Sequence, residues 1–158
     1  MIGALYAVLT IFLYPISYGP IQIRVSEALT ILPFFTASAV PGLWAGCFAA
    51  NFLSNAGAYD VVFGSLLTAA AAQLTYFCGK SKLLYLAPLP PVVLNSLGVS
   101  AYLQYFYDPP RIAFLGGLPS YWLFVFSIAA GEIAACYVIG LPLLLLLRKS
   151  RLVTLLRD

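Results

Sequence analysis

Between residues 121 and 147 the chain carries a single charged side chain, Glu132, and a stretch of that kind can fold in very few ways. It is long enough for one helix to cross a bilayer, which takes ~20 predominantly apolar residues. Only Gly140 and Pro142 interrupt it, so the expectation is one long helix with Glu132 near its middle. An ionisable group at that depth costs roughly 2–3 kcal/mol or more and by default marks a substrate, ion or proton pathway.

The remaining sequence agrees with a membrane setting. Hydrophobic residues make up 63%, charged residues only 8%, histidine is absent and the mean hydropathy is +0.98, which places the chain among integral membrane proteins. Its 158 residues leave room for about five or six spanning helices and little besides, so residues 1–158 read as one transmembrane domain. The N-terminal apolar run lacks a basic leader and a cleavage site and reads as a retained helix. Much of the net charge of +3 comes from Arg148, Lys149, Arg151 and Arg157, directly after an apolar run. That cluster is an orientation signal for the bilayer and not a nucleic-acid footprint. Cys47, Cys78 and Cys136 stand singly in apolar segments, so they read as packing residues, and no metal or other cofactor is expected.

Taken in order, the apolar segments predict six helices. The first covers residues 2–14 and ends at Pro15, with Gly3 and Ala7 forming a small face on which another helix, from this chain or a partner, can dock closely. Residues 27–35 contain Pro33 and read as a short, bent helix inside the bundle. A third helix, 39–54, carries Gly42 and Gly46 and then Asn51 and Asn55 on one face. A fourth runs from Asp60, its candidate cap, to Cys78 through Gly64 and Thr68, and the Gly79–Lys82 stretch ends it. The fifth opens on the prolines at 88, 90 and 91 and reaches Tyr105, with Asn95, Gly98, Tyr102 and Tyr105 within one arc. Residues 107–119 are long enough for a lid, and the sixth helix follows. Lys80, Lys82 and the basic C-terminus orient both chain ends to the cytoplasm. Arg24 and Arg111 then lie outside, against that rule.

Residues 18–30 concentrate Gln22, Arg24 and Glu27 in a chain otherwise poor in such groups. Gly19-Pro20 is a turn signal, and Ser26 is a candidate N-cap. Arg24 and Glu27 can form a local pair at helical spacing, which on its own describes no more than a capped helix start. The predicted topology changes this reading by placing Gln22, Arg24, Glu27, Asn51, Asn55 and Asp60 at the outer ends of helices that also carry Asn95 and Glu132. Asn95 and Glu132 fall at similar depth, with no basic residue there to pair the acid. Tyr102, Tyr105 and Trp122 add flat surfaces near the mouth, although some tyrosines and tryptophans of such a chain belong to an interfacial belt. Acids, amides and aromatics together suit a small planar solute rich in donors or positive charge. A phosphate-binding G-x-x-x-x-G-K-[ST] motif is missing, so the chain is not expected to hydrolyse ATP, and without histidine, G-x-S-x-G or paired cysteines it is not expected to be an enzyme.

Several extended motifs run through the chain: Pro15-Ile-Ser-Tyr-Gly-Pro-Ile-Gln-Ile-Arg-Val-Ser-Glu-Ala-Leu29, Leu32-Pro-Phe-Phe-Thr36, Gly46-Cys-Phe-Ala-Ala-Asn51, Asp60-Val-Val-Phe-Gly-Ser65, Leu89-Pro-Pro-Val-Val-Leu-Asn95, Gly131-Glu132 and Gly140-Leu-Pro142. Together they closely resemble the QueT family of queuosine-precursor transporters. The resemblance implies the substrate-binding S component of an energy-coupling factor (ECF) transporter, a six-helix bundle in the bacterial cell membrane. Such a subunit takes a 7-deazaguanine, for example 7-aminomethyl-7-deazaguanine, from outside. It works with a transmembrane scaffold, the T component, and two cytoplasmic ATPases, and the Gly3/Ala7 face is then expected to dock on the scaffold. Glu132 with Asn95 would read the ring edge and Glu27 or Asp60 the amine, with the two acids exchangeable. A proton-coupled transporter of a small cationic or aromatic solute using Glu132, and a purely structural membrane subunit, are the two other classes compatible with the residues.

Overall fold

A computed structural model describes residues 1–18, 22–110 and 117–150. The Gly19-Pro20 turn, the centre of the expected lid with Arg111, and the basic residues Arg151 and Arg157 lie outside the described residues. All regular structure among the described residues is helical. Three helical stretches have the length and composition to cross a membrane, Asp60–Lys80, Leu84–Leu103 and Ser120–Lys149, and two shorter apolar helices, Ile2–Phe12 and Val25–Phe34, accompany them.

The α-helices are α1 (Ile2–Phe12), α2 (Tyr14–Ser17), α3 (Ala39–Asn51), α4 (Ser65–Lys80), α5 (Leu89–Leu103), α6 (Ser120–Ile133) and α7 (Leu141–Lys149). Pro15 divides α1 from α2, because its ring has no N–H to continue the ladder and crowds the carbonyl of Ile11; it instead occupies the first turn of the new helix. The third helix ends at Asn51, sooner than the sequence implies, which leaves Asn55 exposed in the turn beyond it and not on the face of Asn51. The long C-terminal span is continuous, but a π-helical segment, Ala134–Gly140, joins α6 to α7. A second π-helical turn, Asp60–Gly64, leads into α4, so Asp60 is the first residue of that turn and forms no side-chain cap. The short, bent helix is a 3₁₀ segment, Val25–Phe34, which Ser26 does not cap. Runs of 3₁₀ beyond 3–4 residues are uncommon and mark hinges or strained sequence.

The 3₁₀ segment is threaded through the bundle, packed on α1, α4 and the Ala134–Gly140 segment. Two glycines make room for it. A Cβ on Gly131 of α6 would collide with the backbone carbonyl of Gln22, and one on Gly79 of α4 would run into the backbone of Phe34. Each end of the inserted stretch is therefore held where another helix has no side chain. On the other side, α1 packs on α3 through Gly3 and Gly46, whose backbones touch.

The burial pattern is inverted relative to a water-soluble domain. Leu5, Val8, Phe12, Phe63, Leu66, Phe77, Phe126, Val138 and Leu146 are exposed, whereas Thr10, Arg24, Ser26, Glu27, Thr30, Asn51, Asp60, Thr68, Asn95 and Glu132 are buried. Lipid removes the penalty for exposing apolar side chains and makes an unpaired polar group costly, so polar residues collect inside.

Candidate substrate-binding site

Three of the four non-α helical segments among the described residues carry or adjoin the buried acids; the fourth is the short 3₁₀ turn Leu84–Leu86. Glu27 lies in the 3₁₀ segment, Asp60 opens one π turn, and Glu132 closely precedes the other. Irregular turns of this kind free backbone groups and re-aim side chains, and they recur at functional sites.

Two subclusters form around these acids. In the first, Arg24 donates from Nη2 to Asp60 Oδ2 at 3.0 Å, and Tyr102 donates its hydroxyl to Asp60 Oδ1 at 2.5 Å. The Asn51 amide donates to the Asp60 carbonyl at 2.8 Å, and the Arg24 guanidinium lies over the Tyr18 ring at 5.5 Å. Gly64 permits this convergence, since a Cβ there would sit 2.7 Å from Asp60 Oδ1, 3.0 Å from Asn51 Nδ2 and 3.1 Å from the Tyr102 hydroxyl. Arg24 is thus paired with Asp60 and not with Glu27: it precedes the 3₁₀ segment in extended backbone, while Glu27 inside the segment faces Tyr6 of α1 and Thr68 of α4.

In the second subcluster, Tyr6 donates its hydroxyl to Glu27 Oε1, which Thr68 also approaches at 3.4 Å. Asn95 lies beside both glutamates and donates to Glu132 Oε1 at 2.9 Å. Cys136 bridges them differently, reaching Glu132 Oε2 at 3.5 Å and the Glu27 carbonyl at 3.6 Å. Ser26 meets Thr10 at 2.6 Å, which explains its burial. Thr68 and Asn51 both contact Cys47 at 3.4 Å, and this joins the two subclusters.

Acceptors outnumber donors here. Glu27 Oε2, Asn51 Oδ1 and Asn95 Oδ1 are buried without a hydrogen-bond partner. The single salt bridge among the described residues occupies Arg24 with Asp60, which leaves Glu27 and Glu132 without a cation. Buried polar groups are ordinarily satisfied, so three orphan oxygens in one cluster call for a ligand that brings donors.

Most of the residues expected from the sequence meet here: Arg24, Glu27, Asn51, Asp60, Asn95, Tyr102 and Glu132. Gln22 is buried against Gly131, next to Glu132. Others stand apart. Asn55 is exposed beyond α3, Trp122 is 45% exposed and stacks edge-on against Tyr121, and Tyr105 is exposed on the outside of the bundle. Their places fit the interfacial belt better than a cavity wall. Gly98 faces the Leu67 side chain, so its missing side chain makes room for α4 and not for a ligand beside Asn95. Gly3 is used internally, against Gly42 and Gly46. Sequence reasoning missed Tyr6, Thr10, Cys47, Thr68 and Cys136. Each is a hydroxyl or thiol within an apolar helix, a weak signal because such residues also pack helices.

An all-helical chain whose exterior suits lipid and whose interior holds acids and amides with unfilled acceptors belongs to the class of multi-pass membrane proteins that handle a small polar solute. The QueT transporter family model matches residues 1–149, and the chain belongs to that family, one of transporters and not of enzymes. Over 70 residues it is 44% identical to "Queuosine precursor transporter QueT" of Lactococcus lactis subsp. cremoris (strain MG1363). That alignment covers 43% of this chain and 41% of the relative, less than half of either. No solved structure matches the chain significantly.

Proposed function

We propose that the protein is the substrate-capturing S component of an ATP-driven importer and that its cargo is a queuosine precursor of the 7-deazaguanine type. The observation that carries this reading is the set of orphan acceptors on Glu27, Asn51 and Asn95, beside a Glu132 that has no cation. A 7-deazaguanine offers a ring N–H beside an exocyclic amine, which one carboxylate can accept together, and a 7-aminomethyl group adds a positive charge for a second acid. The name of the lactococcal relative supports the same substrate class. Glu132 with Asn95 is assigned the ring edge and Glu27 the amine. Arg24, Asp60 and Tyr102 close the outer side, where Gln22 begins the inserted stretch. In this reading the bundle counts as six helices, with the 3₁₀ segment as the second, and both termini are cytoplasmic.

Calorimetric titration of the purified protein with 7-aminomethyl-7-deazaguanine tests the proposal. Saturable binding is expected, and Glu132→Gln should weaken it by about 1–3 kcal/mol, roughly 5- to 150-fold. Unchanged affinity would remove Glu132 from the site. Absence of heat with any deazaguanine, alongside uptake that follows a proton gradient, would favour the proton-coupled alternative.

For the scaffold contact, the outward-facing edge of the α1/α3 packing supplies a shallow groove of about 350 Å³, lined by Ala4, Ala7, Ala45 and Ala49 around the internal glycines. A scaffold helix is proposed to lie there, with Ala7 at its centre. Ala7→Leu should abolish coupled transport in cells and leave the calorimetric affinity unchanged; loss of both would place Ala7 in the internal packing with Gly3.

A further inference from the structure

Helix α4 ends in a reverse turn with a defined hydrogen-bond pattern. Leu83 N–H returns to the Cys78 carbonyl at 2.9 Å and Lys82 N–H to the Gly79 carbonyl at 3.2 Å, which makes a Schellman motif with Lys82 at the position after the cap. Its φ is +57°, and Lys82 is the one non-glycine with positive φ among the described residues. Glycine is the usual occupant of this position, because a Cβ is disfavoured in the left-handed conformation. A lysine in this conformation carries a backbone cost that glycine would not, which draws attention to its side chain.

The turn lies at one rim of the membrane layer. The spans Asp60–Lys80 and Ser120–Lys149 end there and Leu84–Leu103 begins there. The core beneath it holds Ile31, Leu84, Ala87 and Leu144, so the reverse turn is packed against the end of α7. Between them is a cavity of about 410 Å³ lined by Lys82, Leu83, Leu84, Tyr85, Leu86 and Arg148. Among the described residues that line it none is acidic. Lys82 and Arg148 supply two cations, while exposed Leu83, Tyr85 and Leu86 supply an apolar flank. The neighbouring cation Lys80 is engaged with its own helix, 4.8 Å over the Tyr76 ring, and does not line the cavity.

We propose that this cavity binds the headgroup of an anionic phospholipid, with Lys82 and Arg148 holding the phosphate and the leucines and Tyr85 receiving the upper acyl chain. Two cations without an acid, next to apolar surface at the depth where headgroups lie, match that chemistry. A soluble anion would use the cations alone, whereas a phospholipid also occupies the adjoining apolar flank. The site shares no residue with the polar cluster, so its lipid chemistry does not depend on which solute is transported.

The experiment uses the full chain in neutral detergent, with native mass spectrometry and thermal melting read after adding phosphatidylglycerol, phosphatidylcholine or inorganic phosphate. The wild-type protein should retain phosphatidylglycerol at least tenfold more than phosphatidylcholine and melt higher with it. Lys82→Gly combined with Arg148→Gln should erase that preference. Lys82→Gly alone should melt no lower than wild type without lipid, since glycine relieves the left-handed backbone. Lys80→Gln with Lys149→Gln should keep the preference, because those cations lie outside the cavity. Equal retention of both lipids, a preference that survives loss of Lys82 and Arg148, or equal loss in the Lys80/Lys149 variant would overturn the proposal. Stabilisation by inorganic phosphate equal to that by phosphatidylglycerol would do so as well, by making the site one for free anions.

Discussion

Replacing Asp60 by alanine should destabilise the protein by about 3–5 kcal/mol, because it leaves the buried Arg24 guanidinium without its partner. Arg24 is 5% exposed and Asp60 0%, and no other carboxylate is within salt-bridge distance of Arg24 among the described residues. The same substitution frees the Tyr102 hydroxyl and, through Gly64, the packing at the start of α4. The measurement is unfolding in mixed micelles as the fraction of denaturing detergent rises. A double variant separates charge from shape. Arg24→Met with Asp60→Leu removes both ions and should recover most of the loss, since apolar replacement of a whole buried pair is often neutral. If Asp60→Ala unfolds together with the wild type, the ion pair does not hold the inserted stretch in place.

Gly46→Leu is also expected to destabilise the protein and to act on the candidate ligand site from a distance. Its Cβ would lie 2.8 Å from the Gly3 Cα and 2.9 Å from the Gly3 carbonyl carbon, so α1 and α3 must separate. Overpacking of this kind costs about 1–3 kcal/mol, and here the obstacle is backbone, which cannot rotate aside. Tyr6 lies within one turn of Gly3 and donates to Glu27, so separation of the helices also removes a donor from the acid. Both the stability and the affinity for a deazaguanine should fall. A variant with normal affinity would show that Tyr6 positions nothing that the ligand feels. The contrast with Ala7→Leu, expected to spare affinity, tests the division of the small face into an inward glycine and an outward alanine.

The residues of the site were more legible than their partners. Glu132 and Asn95 could be paired from depth alone, because both stand at the middle of apolar runs whose helices proved regular up to that point, and they are 2.9 Å apart. Arg24 and Glu27 invite pairing at α-helical spacing, yet Arg24 finds Asp60 across the bundle. The reason is that Arg24 is not helical: it precedes the 3₁₀ segment with extended backbone angles (φ −87°, ψ 91°), so helical spacing does not apply to it. Within the segment, a turn of about 120° per residue against about 100° for an α-helix drifts the phase by about 200° over ten residues, enough to reverse which side chains face the core. The π turns at Asp60–Gly64 and Ala134–Gly140 shift phase in the opposite sense. The place of Trp122 is undetermined by sequence for a related reason: an aromatic at the start of a span serves a belt as readily as a cavity mouth, and the rotation of α6 leaves it 45% exposed beside Tyr121.

The amino-acid sequence alone was therefore sufficient to show that the chain lives in a bilayer, from its composition, and that Glu132 and Asn95 sit at the middle of spans, from the order of its apolar runs. These follow from solvation, which acts on each side chain separately. The tertiary structure decided that Asp60 answers Arg24, that Tyr6 and Thr68 answer Glu27, and that acceptors on Glu27, Asn51 and Asn95 are buried without a partner. Those outcomes depend on the rotation and depth of one helix against another, where a single residue turns a side chain by about 100° and a local change of pitch carries through every residue after it.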